Sequence, residues 1–210
     1  MSNNVEEKIL HGTTTVAIKV KEGVVLCADM RASAGYFIAN NNTMKIQKIE
    51  QHAGLTLAGG VADAQNIVDV LRYHENVHRI QNQEPIPIKS LARLTSLMFH
   101  QNRGYPFIAD ILVGGYDNQG PQLFNIDMFG SVEEKNYVTT GSGSPVAYGL
   151  LEDEYREDLS LDEAKLIALR AVKAAITRNI GTGDGINVAL IDNNGFRLLE
   201  NERKKAVLDI

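Results

Sequence analysis

Two hydrophobic periods divide the chain. Thr13 to Val20 and Val24 to Met30 are β-branched, apolar runs separated by Lys21-Glu22-Gly23, the pattern of a strand hairpin. Beyond the Asn40-Asn41-Asn42 loop, Thr43 to Ile49 and Leu55 to Ala58 read as short strands, the second ending at Gly59-Gly60. The period then lengthens. Ala64, Ile67, Val68 and Leu71 form a helical stripe. Pro85 and Pro87 interrupt it, and a second helix is expected from about Ile88 to Asn102, with Ile88, Leu91, Ala92 and Thr95 on one face.

Strand spacing returns at Ile108 to Tyr116, at about Gln122 to Asp127 and at about Glu134 to Thr140. The last runs into Gly141-Ser142-Gly143-Ser144-Pro145, where Ser144 is the expected N-cap and Pro145 the first helical residue. Ser160-Leu161-Asp162-Glu163 has the form of a capping box. It opens a helix whose stripe is Ala164, Ile167, Ala168, Ala171, Val172 and Ala175. A hairpin closes the pattern, Ile186 to Ile191 and Phe196 to Leu199, around Asn193-Asn194-Gly195. Strands and helices come in blocks and do not alternate, which argues against a doubly wound parallel sheet. Two antiparallel sheets packed face to face, with a helix pair on each outer side, would bury every stripe. The fold class expected is α+β.

Composition narrows the function. At 210 residues and 44% apolar content, one domain with a substantial core is expected. A net charge of −5 without a long basic run argues against nucleic acid or an anionic membrane as main partner. No apolar stretch approaches the ~20 residues of a membrane helix. The polar, acidic opening, Met1 to Lys8, lacks the features of a signal peptide, so a cytoplasmic setting is expected. The single cysteine, Cys27, lies in an apolar run and reads as a reduced core residue.

His74-Glu75-Asn76-Val77-His78 is a literal HExxH, the spacing with which a zinc peptidase presents two imidazoles and a glutamate base. Gln81 and Glu84 stand where a further ligand motif would continue. His74 and His78 are instead expected to extend the Ile67/Leu71 face, as packing groups or as part of an intersubunit surface. Neither a metal nor a cofactor is expected.

The candidate chemistry lies at Gly12-Thr13-Thr14-Thr15, followed by Asp29 and Lys45. A threonine hydroxyl is a poor nucleophile unless a base removes its proton. When the threonine is the first residue of a chain, its own α-amine can serve. That amine titrates near pH ~8, against ~10 for a lysine side chain. It exists here only if the bond after Gly12 is cut, which would make residues 1–12 a prosegment, residues 13–210 the catalytic domain and the uncut chain a zymogen.

Taken with Asp29-Met30-Arg31-Ala32-Ser33-Ala34-Gly35, Lys45, Ala58-Gly59-Gly60 and Thr140 to Pro145, this start resembles the archaeal-type proteasome β subunits, which are N-terminal nucleophile hydrolases. The resemblance runs from Thr13 over essentially the whole chain. It implies a four-layer αββα sandwich and an endopeptidase that hydrolyses unfolded proteins inside a ring-shaped chamber. The implied partners are other β subunits in a seven-membered ring, α subunits and a regulatory unfolding ATPase.

Carried over residue by residue, the resemblance makes Thr13 the nucleophile. Lys45 becomes the cation beside it, Asp29 the carboxylate pairing with that lysine, and Ser142 the proton relay. Gly59 supplies the oxyanion N–H, and Ser33 and Val61 pair with extended substrate. Ala32, Thr43, Leu57, Val61 and Gln65 line the first specificity pocket, with Leu57 at its floor. An uncharged pocket cannot compensate an ionic side chain, so large apolar residues before the cut are expected. Asn179 and Thr182 stand where the family usually has aspartate and serine. The missing carboxylate implies a slower catalyst, or a structural β subunit of a mixed ring.

Overall fold

The computed structural model describes residues 12–199. Within them twelve strands and four helices run in the expected blocks. The first sheet has the order β10-β1-β2-β11-β12, made from Tyr137–Thr140, Thr15–Val20, Gly23–Asp29, Ile186–Asp192 and Gly195–Leu198. The second has the order β5-β6-β7-β8-β9, made from Ile46–Glu50, Ala53–Gly59, Ala109–Asp117, Gly120–Ile126 and Val132–Glu134. All recorded pairings are antiparallel. The helices are α1, Val61–Asn82; α2, Ile88–Gln101; α3, Ser144–Glu154; and α4, Leu161–Arg178.

Strand parity explains the layers, because successive side chains point to opposite faces. In β1, Val16, Ile18 and Val20 join Ala164, Ala168 and Ala171 of α4 in one apolar cluster, while Ala17 faces the other way. Leu26 and Ala28 of β2 meet Leu112 and Leu123 of the second sheet in a central layer. The outer face of that sheet packs Leu55, Ile111 and Val113 against Ile67 and Leu71 of α1 and Ile88 and Leu91 of α2. The order is therefore helix pair, sheet, sheet, helix pair. Both faces of β2 and β11 are covered, and every residue in them is buried. Cys27 packs under α4, where burial raises its thiol pKa above the ordinary range.

Three local expectations are corrected. The run Glu134 to Thr140 is not one strand. Val132–Glu134 pairs with β8 in the second sheet, and Tyr137–Thr140 pairs with β1 in the first, so the chain changes sheets between them. Gly143, not Ser144, caps α3, and Ser144 is already helical. A β3–β4 hairpin, Ala32–Ala34 and Phe37–Asn40, forms where no strands were expected. Its second strand is exposed along its length, so no apolar-polar alternation marks it. The capping box of Ser160 and Glu163 forms as expected. No helix among the described residues is long and apolar enough to cross a membrane.

Candidate active site

β1 and β2 place Thr13 and Asp29 together, because the antiparallel register sets Thr15 opposite Ala28. Asp29 is fully buried and the Lys45 side chain is only 5% exposed, and they meet at 2.7 Å. Three backbone N–H groups also donate to the Asp29 carboxylate: Thr14 at 2.9 Å, Gly183 at 2.9 Å and Arg31 at 3.1 Å. Burial raises the Asp29 pKa and lowers that of Lys45, while their mutual attraction opposes both shifts. Four donors around one carboxylate favour its charged form, and that charge in turn favours the ammonium of Lys45.

Thr13 remains joined to Gly12 here. Its hydroxyl donates to the Gly12 carbonyl at 2.7 Å, and Lys45 Nζ lies 3.5 Å from the same oxygen. The Gly12 N–H donates to Ser33 Oγ at 2.7 Å. Gly12 also packs so closely on Gly181 that a Cβ on either would collide with the other's backbone. Thus the hydroxyl, a carbonyl and a cation converge at the bond that must break to free the amine.

On the other side of Thr13, Ser142 Oγ lies 3.4 Å from the Thr13 N–H. Asn179 orders this side. Its Oδ1 accepts from Ser142 Oγ at 3.0 Å, Thr182 Oγ1 at 3.1 Å and the Gly181 N–H at 3.0 Å, and its Nδ2 donates to the Ser142 carbonyl at 3.0 Å. Both ends of the amide are used. Thr182 in turn bonds Thr14 Oγ1 at 2.8 Å.

Gly12, Thr13, Ala32, Ser33, Thr43, Lys45, Leu57, Gly59 and Gln65 all line one cleft of about 540 Å³. Val61 opens α1, but its side chain lies outside the described residues, as do residues 1–11 of the expected prosegment. Gly59 has φ +120, and a Cβ there would strike the Ile108 carbonyl, so only glycine lets β6 turn this close to β7. Asp29, Ser142, Asn179 and Thr182 stand behind Thr13 and outside the cleft lining.

Several contributors escaped the sequence reading. Asp69 and Arg72 of α1 line the cleft, so it is not wholly uncharged. Arg72 is turned aside by bonds from Nε and Nη2 to the Lys48 carbonyl, at 3.0 and 2.7 Å. Arg31 pairs with Asp184 at 2.7 Å and donates to the Ile180 carbonyl at 2.9 Å, fastening the 179–185 loop to the end of β2. Asp184 sits at φ 67 between two glycines, and that Gly-Asp-Gly run was the available signal for a tight loop.

The HExxH segment does other work. Glu75, not His74, continues the Ile67/Leu71 face: it is 1% exposed and its Oε2 accepts the Ile86 N–H at 2.9 Å. His74 is exposed and stands edge-on to Tyr73, and His78 contacts Asn82.

A four-layer αββα sandwich with a threonine at the head of β1, flanked by a buried Lys-Asp pair, defines the N-terminal nucleophile hydrolase class. Comparison with known proteins is more specific. Residues 9–191 match the family model described as "Proteasome subunit". The chain is 81% identical to "Proteasome subunit beta 2" of Nitrosopumilus maritimus, over the full length of both. It is 82% identical to "Proteasome subunit beta 2" of Cenarchaeum symbiosum over 99% of each chain. With "Proteasome subunit beta 1" of Saccharolobus islandicus identity is 50%, over 96% of this chain and 95% of that one. The chain belongs to the proteasome family, as a β subunit of the archaeal type.

Proposed function

We propose that this subunit is a threonine endopeptidase that frees its own nucleophile by cutting after Gly12. The observation that carries this reading is the 2.7 Å contact between the Thr13 hydroxyl and the Gly12 carbonyl, with Lys45 Nζ 3.5 Å from that oxygen. In self-cleavage, Thr13 Oγ attacks the Gly12 carbonyl carbon and its proton passes to the Thr13 nitrogen. The C–N bond breaks as the C–O ester forms. Water then hydrolyses the ester, leaving a carboxylate on Gly12 and an α-amine on Thr13.

In turnover that amine accepts the Oγ proton as Oγ attacks a substrate carbonyl. The oxyanion turns toward the Gly59 N–H, a donor of a kind worth about 3 kcal/mol in the transition state. The ammonium returns its proton to the departing amine, and water resolves the acyl ester by the reverse proton path. Lys45 disfavours the protonated amine and stabilises developing negative charge on Oγ.

Ala32, Leu57 and Val68 give the cleft apolar walls, and Arg72 is bonded to the Lys48 carbonyl. Large apolar residues before the cut fit this lining best. Unfolded chains are the substrate class, because a strand-like peptide is what a cleft edged by β-structure can pair with. Work inside a ring with other β subunits, α subunits and an unfolding ATPase follows from family membership as part of the same proposal, as does the cytoplasm as its place.

Thr13→Ala is the direct test. In an assembled particle with no other active β subunit, this variant should assemble, retain residues 1–12 and hydrolyse no peptide. Hydrolysis at the wild-type rate would refute the assignment.

A further inference from the structure

A second cavity, of about 150 Å³, adjoins the cleft at Gly59, which lines both. Its other walls include Ile108, Asp110, Met128 and Gly141. Gly141 packs on the Thr13 carbonyl closely enough that a Cβ would collide with it. The two cavities therefore meet at Gly59, beside the place where the scissile carbonyl is to sit, and the smaller also borders Thr13 through Gly141. If the residue before the cut occupies the larger, the residue after it is led toward the smaller.

Asp110 supplies the one charge in that lining. Strand parity aims it there. Ala109, Ile111 and Val113 of β7 face the helices, whereas Leu112 faces the first sheet, and Asp110 shares the Leu112 side. Thr56, opposite Leu112, reaches across to Thr15 at 3.2 Å. One pleat nearer the cleft, Ala58 and Asp110 form the next opposed pair, at the level of Thr13. Among the described residues no lysine or arginine forms an ion pair with Asp110. Burial first, and then the like charge of Asp127, raise its pKa, and an arriving cation would oppose that shift by favouring the carboxylate. Ile108 and Met128, 43% and 36% exposed, offer apolar surface beside it. Apolar walls with a carboxylate match the methylene stem and charged tip of lysine or arginine.

We propose that Asp110 is a specificity-determining residue that favours a basic side chain immediately after the cut. The inference rests on the threonine-peptidase reading above. Internally quenched peptides, identical except for Lys, Ala or Glu after the cleaved bond, are incubated with the assembled particle, and the cut position is read by mass spectrometry. The lysine peptide should be cut about tenfold faster than the glutamate peptide, the combined effect of one attractive and one repulsive partly exposed pair. Asp110→Asn should bring that ratio close to one. Its rate on a peptidyl-aminocoumarin, which has no residue after the bond, should stay at the wild-type value. Asp110→Ser serves as a second variant should the first fail to assemble.

An unchanged Lys-to-Glu ratio in either variant overturns the proposal, as does a wild-type ratio near one. Wild-type particles that cleave none of the peptides would refute the peptidase reading instead, a separate outcome.

Discussion

Lys45 sits in a place that penalises charge. Burial lowers its pKa, and Asp29 restrains the shift. If its ammonium is required, the rate should fall at alkaline pH as the proton is lost, beginning below the range of a free lysine because the shift is downward. The rising limb should instead follow the Thr13 amine, below the ~8 of a free α-amine because Lys45 disfavours its protonated form. Lys45→Met removes the cation at similar length and should cost about a hundredfold or more in peptide turnover, the scale of one lost electrostatic contact to the reacting oxygen. A variant with near wild-type turnover across the pH profile would show that Lys45 is not needed.

Asn179 is more than an aspartate without its charge. Its amide donates to the Ser142 carbonyl, where a carboxylate oxygen would face another oxygen at about the same 3.0 Å. The sequence alone suggests that Asn179→Asp should accelerate catalysis. The geometry revises that to equal or lower turnover, since the gained charge comes with a lost donor. Asn179→Ala strands the hydroxyls of Ser142 and Thr182 together and should slow hydrolysis about tenfold to a hundredfold, at one or two hydrogen bonds of about 1–1.5 kcal/mol each. Steady-state rates of the two variants against wild type distinguish these expectations.

At the scale of the element, legibility followed periodicity. The alanine stripe of α4 and its capping box were plain in the sequence because two independent signals agreed. The Thr13, Asp29, Lys45 and Gly59 positions were legible through the resemblance, and the structure brings all four to one place. Asp69, Arg72 and Arg31 were not legible. Their roles depend on where α1 and the 179–185 loop lie against the sheets, and a charged side chain on a helix face carries no mark of that. The same blindness affected HExxH, where spacing could not show that Glu75 turns inward.

Glu75→Ala leaves the Ile86 N–H without its acceptor in a partly buried turn. It should destabilise the subunit by about 1–3 kcal/mol, whereas Glu75→Gln keeps an acceptor oxygen and should lose less. Thermal unfolding of the two variants tests this. Equal Tm values in Ala, Gln and wild type would remove the structural role assigned to Glu75.

At the scale of the molecule, the sandwich gives the chemistry its rigidity. Thr56 of the second sheet reaches Thr15 of the first at 3.2 Å just beneath Thr13, and Thr15 bonds Thr140 within the first sheet at 2.7 Å, while apolar layers close both helix faces. Thr13, the proposed nucleophile, is itself buried and stands two residues ahead of the buried strand β1. Gly12 is equally fixed, between Ser33 Oγ and the Gly181 backbone. The proposed function asks such a site for a single intramolecular cut and then the same attack on other chains, with the freed amine as base. The intact mass of the wild-type subunit, taken from its assembled particle, measures this most directly. The account predicts a chain that begins at Thr13, shorter by residues 1–12. A full-length chain in a particle that nonetheless hydrolyses peptides through this subunit would contradict it.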